Sequence, residues 1–78
     1  MSTEHLETWS LQGLKVSGKY HGVPYQGLVA TSIANGAGIR HTILLNTVLT
    51  IGDELITKIH LDTYPDNPKD WEDFRIIG

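Results

Sequence analysis

Leu14, Val16, Gly18 and Tyr20 alternate with Lys15, Ser17, Lys19 and His21. A period of two with one polar face predicts a half-buried β-strand. His21-Gly22-Val23-Pro24 follows and predicts a turn, because Gly and Pro punctuate regular structure. Tyr25, Gly27, Val29, Thr31 and Ile33 are then the inward set of a second strand, with Gln26, Leu28, Ala30 and Ser32 facing outward. Asn35-Gly36-Ala37-Gly38 is the next break. From Ile39 to Ile51 the inward set is Ile43, Leu45, Leu49 and Ile51, against Thr42, Leu44, Asn46, Val48 and Thr50. This stretch is either one strand or a strand ending at Asn46 followed by a loop. Gly52-Asp53 turns the chain into a fourth strand with Leu55, Thr57, Ile59 and Leu61 inward.

The last part changes character. Two prolines interrupt Thr63-Tyr64-Pro65-Asp66-Asn67-Pro68 and exclude regular structure there. Lys69–Asp73 predicts a single helical turn capped by Asp66 or Asn67, and Phe74–Ile77 a short final strand. Residues 1–8 form a polar segment that either frays or adds a short element through Leu6 and Trp9, and residues 9–78 form one domain.

A turn over His21–Pro24 places Tyr20 opposite Tyr25, Gly18 opposite Gly27 and Val16 opposite Val29. Two facing glycines would let a strongly bent sheet turn a corner. The expected fold is therefore all-β: a small five-stranded antiparallel barrel, closed or nearly so, with one short helical turn before the last strand. A flat sheet would leave long exposed edges.

The order of hairpin, hairpin, helical turn and final strand resembles the Src-homology-3-like and Tudor-like small barrels. The stretch Gly18-Lys19-Tyr20-His21-Gly22-Val23-Pro24-Tyr25-Gln26-Gly27-Leu28-Val29 is similar to a pattern in small uncharacterised bacterial proteins of that kind. The resemblance implies a binding module without an assigned reaction. The aromatic residues are spread along the chain, so neither a proline-peptide groove nor a methyl-lysine cage carries over.

At 78 residues there is room for one core. The absence of cysteine excludes disulfides and thiolate chemistry. With no basic-then-apolar leader, the expected location is cytoplasmic. The net charge of −3 disfavours a nucleic-acid coat. The charges are segregated, however. Thr8 to Gly52 holds no acidic residue but carries Lys15, Lys19 and Arg40, with His21 and His41.

Candidate chemistry is sparse. His60 and Asp62 share a strand face, but with His21 and His41 they are too few for a convincing metal site, so no metal or cofactor is expected. No nucleophile elbow exists, and the carboxylates Asp70, Glu72 and Asp73 sit on an exposed turn, so no enzyme is expected. Gly36–Gly38 beside Arg40 and His41 reads as a hairpin turn ahead of an anion loop. Trp71, with Tyr64 and Phe74, either plugs the end of the barrel or offers a ligand platform.

The outward face is the most informative feature. Leu28, Ala30 and Leu44 cluster there beside Lys15, Ser17 and Lys19, and Val48 and Ile56 extend the patch. A contiguous apolar group with a basic rim predicts an interface. The competing reading buries Leu28 and Leu44 under the N-terminal segment. The expected function is a non-catalytic module binding a protein partner or itself, concretely a homodimer through Leu28 and Leu44. One context is an accessory protein of a mobile element or phage that blocks a host protein. Two alternatives stand beside it. Nucleic acid could be bound by Lys15, Lys19, Arg40, His21 and His41, with Tyr20 or Tyr25 stacking on bases. A small-molecule or nucleotide site could form between subunits.

Overall fold

Strand β1 (Lys15–Tyr20) ends in a two-residue turn, His21-Gly22, with both residues at positive φ, 51° and 84°. That is the primed turn whose twist matches a right-handed hairpin. It leads into β2 (Val23–Asn35). The computed structural model describes residues 10–78; the expectations for residues 1–8, Leu6 and Trp9 lie outside the described residues. Gly36 and Gly52, at φ 63° and 61°, open the next two tight turns, which lead into β3 (Gly38–Ile51) and β4 (Glu54–Asp62). A fifth strand, β5 (Glu72–Ile76), returns to pair antiparallel with β1.

The five strands form one antiparallel sheet in the order β4-β3-β2-β1-β5. The expected barrel closure is not made, because β4 and β5 remain the two edges of an open sheet. The link from Asp62 to Glu72 spans the gap as turns instead of a strand. It is tied down by Thr63 N–H to the Ile39 carbonyl at 2.9 Å, by His21 N–H to the Lys69 carbonyl at 3.0 Å, and by Trp71 Nε1–H to the Asp62 carbonyl at 2.9 Å.

The expected helical turn at Lys69–Asp73 is also absent, and the described residues contain no helix. Turn bonds form instead, from Asp70 N–H to the Asn67 carbonyl, from Trp71 N–H to the Pro68 carbonyl and from Phe74 N–H to the Trp71 carbonyl. Asn67 does act as a local cap, its Oδ1 accepting the Lys69 N–H at 3.1 Å. Asp73, at φ 55°, lies outside helical space within β5, where the pairing with β1 shifts register between Ser17 and Lys19.

The first hairpin has a register two residues away from expectation. Tyr20 pairs with Val23, Gly18 with Tyr25 and Val16 with Gly27, so the two glycines are not opposed. The cause is the turn: two residues suffice, and Val23-Pro24 belongs to β2. Gly18 instead sits under Tyr25, whose hydroxyl would be 3.0 Å from a Cβ placed there. Gly27 lets β3 come close, since a Cβ on it would lie 2.5 Å from the Leu44 carbonyl oxygen.

Two irregularities change which side chains face the core. Between Val29↔Ile43 and Thr31↔Thr42, Ala30 is left without a partner. Such a bulge flips the alternation that follows. Ser32 is therefore buried and Ile33 is 59 % exposed, the reverse of the expected order. β3 runs unbroken to Ile51, but its pairing with β4 slips by three residues between Leu44 and Leu49. Beyond the slip Leu55 is 74 % exposed while Ile56 packs toward the core, again the reverse of expectation.

The core lies on one face of the sheet. Val16, Tyr25, Val29, Ile43, Leu49, Ile59 and Leu61 are buried there, with Leu11, Trp71 and Phe74 packed against them. Full burial of aliphatic side chains such as Ile43 and Leu61 contributes about 1.5–3 kcal/mol each.

Candidate functional site

The alternation that sends Val16, Val29, Ile43 and Ile59 inward sends their neighbours to the opposite face. Registers there align four side chains in one row across four strands: Lys15 pairs with Leu28, Leu28 with Leu44, and Leu44 with Lys58. Leu28 and Leu44 remain 41 % and 48 % exposed, so nothing among the described residues covers them. Directly paired strand residues share a face with their side chains in contact range. The result is a two-leucine apolar spot with an ammonium group on each side.

Neighbouring rows extend the basic character. Ser17 pairs with Gln26 on one side and with Arg75 of β5 on the other. A shallow depression of about 480 Å³ opens beside this row, lined by Ser17, Lys19, Gln26, Asn46 and Arg75 among others. Lys19 Nζ lies 3.5 Å from an Asp73 carboxylate oxygen. At the far end Ile33, Arg40 and Asp62 form a row, where Arg40 donates from Nε and an Nη to both Asp62 oxygens at 2.9 and 3.1 Å. These hydrogen bonds hold the Asp62 carboxyl below its ordinary range and raise Arg40. Among the described residues Lys15, Lys58 and Arg75 have no acidic partner.

Of the residues singled out in the sequence, Leu28, Leu44, Lys15 and Lys19 come together on this outer face. Ala30 sits half-buried in the bulge. Val48 is exposed on β3, whereas Ile56 packs on the core side. The expected nucleic-acid contacts are divided. Arg40 faces outward and is engaged with Asp62. Tyr25 and His41 are buried, and Tyr20 and Trp71 pack against the core cluster. Among the described residues, therefore, the rings named for stacking do not share one surface with the cations, and the exposed ring of Tyr64 lies in the β4–β5 link. At the Gly36–Gly38 loop the Ile39 N–H already donates to Thr63 Oγ1 at 2.8 Å. His60 Nδ1 meets Thr42 Oγ1 at 2.9 Å. No three His, Asp or Glu side chains converge among the described residues.

Three features escaped the sequence reading. Lys58 and Arg75 complete the basic rim, yet Lys58 lies outside the acid-free stretch. Counting back from the Gly52-Asp53 turn pairs Leu44 with Leu61, so only the three-residue slip reveals Lys58 beside it. The third is a buried pair, with Ser32 Oγ 2.7 Å from His41 Nδ1. Ser32 Oγ also accepts the Leu11 N–H at 2.9 Å, which leaves its own hydrogen to donate to the imidazole. Burial lowers the His41 pKa and favours the neutral ring, and the Trp71 ring stands edge-on at 6.1 Å. With both side chains buried, this pair is a tie between β2, β3 and the Leu11 segment and not an open nucleophile.

Comparison with protein-family models, with curated proteins and with solved structures finds no match to this chain.

Proposed function

We propose that this chain is a non-catalytic binding module whose outer sheet face docks a protein partner. The observation that carries the reading is the Lys15–Leu28–Leu44–Lys58 row, half-exposed at its apolar centre and charged at both ends. Adjacent exposed leucines with a polar rim are the composition of an interface core and its margin. Three successive hairpins, with a fifth strand returning beside β1, support kinship with the Src-homology-3-like small barrels, here open between β4 and β5.

The test compares wild type with Leu28→Asp/Leu44→Asp as affinity baits, after circular dichroism has established that the variant is folded. A protein retained by wild type and lost from the folded variant supports the reading. Identical retention by both baits rejects it.

A further inference from the structure

We infer that the occupant of this face is an acidic segment of a different protein, with aliphatic side chains between its carboxylates, and not a second copy of the chain. The inference rests on the docking reading above and adds the chemistry of the partner.

Charge is the first ground. The outer face carries Lys15, Lys19, Arg40, Lys58 and Arg75 against three carboxylates, of which Asp62 and Asp73 are paired with Arg40 and Lys19 and Glu72 stands opposite Lys19 in register. Elsewhere among the described residues Asp53, Glu54, Asp66 and Asp70 stand against Lys69 alone, so this face is opposite in sign to the remainder of the described molecule. A carboxylate-rich partner gains attraction and register from such a face.

Symmetry is the second ground. A two-fold interface places the same patch on both copies. Stacking this face on itself turns the Lys15–Lys58 row onto its own image. With the axis along the strands Lys15 meets Lys58, and with the axis across them each lysine meets its own copy. Either arrangement opposes like charges around the two leucines, while the exposed Ile33 and Val48 lie farther along the strands, outside that row. At a strand spacing of about 4.8 Å the two lysines of one copy stand about 14 Å apart, wide enough for an apolar stripe between two rows of carboxylates.

The third ground separates protein from nucleic acid. Single-strand binders add stacking rings to their cations. Among the described residues Tyr20, Tyr25, Trp71 and Phe74 pack toward the core instead, and the exposed Tyr64 lies in the link between β4 and β5, apart from the Lys15–Lys58 row.

The experiment titrates the full chain with fluorescein-labelled peptides and follows anisotropy. The probes are a repeating Glu-Glu-Leu peptide, its Lys-Lys-Leu counterpart and an oligothymidylate. Light scattering reports the mass of every variant. The expected result is binding of the acidic peptide alone, weakened about tenfold or more by Lys15→Glu/Lys58→Glu, by Leu28→Ser/Leu44→Ser and by raising salt. The charge-reversed variant, shown folded by circular dichroism, should then prefer the basic peptide, and that preference should fall when Leu28→Ser/Leu44→Ser is added. Binding of the basic peptide to wild type, lost in Leu28→Ser/Leu44→Ser, keeps the docking face but overturns its acidic occupant. So does a dimer that dissociates in that variant, or tighter binding of oligothymidylate. If the leucine pair alters neither probe binding nor mass, both readings fall. Competition by a peptide of residues 1–9 that matches the acidic probe would assign the face to the chain's own N-terminal segment and overturn the foreign partner.

Discussion

Ser32 and His41 meet on the buried side of the sheet, the hydroxyl oxygen 2.7 Å from Nδ1. Neither residue belongs to a hydrophobic pattern, yet together they fix the segment beyond the Ala30 bulge. The Leu11 N–H donates to the same oxygen, so one hydroxyl holds three parts of the chain.

Ser32→Ala should therefore cost more than a surface substitution. It leaves both the Leu11 N–H and His41 Nδ1 without that partner, and a buried unsatisfied group costs about 1–3 kcal/mol. The measurement is the urea midpoint at pH 7.5. Replacing both members, Ser32→Ala with His41→Leu, should restore part of the loss, because removing both polar partners is far less costly than removing one. A double variant that loses the full sum of the single effects would contradict the tie.

His41 also sets a pH dependence. Burial lowers its folded pKa below the unfolded value of 6.5, against a smaller opposing pull from Asp62. The unfolded chain then binds more protons in the window below 6.5, so stability falls as pH drops through it. The contribution is complete above that value. Urea midpoints at pH 7.5 and 5.5 should show a steeper loss for wild type than for His41→Gln. Equal slopes would mean that the imidazole is no less willing to be charged when folded.

The glycines divide by mechanism. A Cβ on Gly27 would come within 2.5 Å of the Leu44 carbonyl oxygen and 2.7 Å of Ile43 Cγ2. Gly27→Ala must push β3 away and should cost about 3 kcal/mol or more, in the upper range for overpacking. Gly52→Ala meets no atom within 4 Å and faces only the strain of φ 61°, about 1 kcal/mol. Thermal melts of the two variants test the order. A milder effect at Gly27 would mean that the strands separate easily there.

Alternation made β1, the first half of β2 and the inward set of β3 legible, because each is a regular strand with one face on the core. Legibility stopped at Ala30 and at Leu45–Val48, where a strand carries residues that its neighbour does not match. No local composition marks those bulges, and each reverses the faces beyond it. That is why Ile33 and Leu55 are exposed and Ser32 is buried. The outer face was legible at Leu28 and Leu44 for the same reason that the core was. Lys58 and Arg75 join it through pairings of β3 with β4 and of β1 with β5, which depend on a slip and on a strand return that no periodicity encodes.

Tyr25 offers a test of the core itself. The residue is 5 % exposed and its hydroxyl has no hydrogen-bond partner. Burial pushes its pKa up to about 12, with a further contribution from the negative charge of Asp70. Because the folded pKa lies above the unfolded value of 10, the unfolded chain releases its proton first as pH rises. Stability from this group is complete below pH 10 and is lost between there and about 12. Tyr25→Phe removes both the unpartnered hydroxyl and that ionisation. At pH 7 it should change stability by no more than about 1 kcal/mol, since no hydrogen bond is lost. In alkaline titration followed by absorbance at about 295 nm and by circular dichroism, the variant should unfold at higher pH than wild type. If Tyr25→Phe is instead strongly destabilising at pH 7, the hydroxyl has a partner, and the groups to examine are Asp70, whose charge acts on it, and the Glu72 carbonyl, which with the hydroxyl flanks the position a Cβ on Gly18 would take.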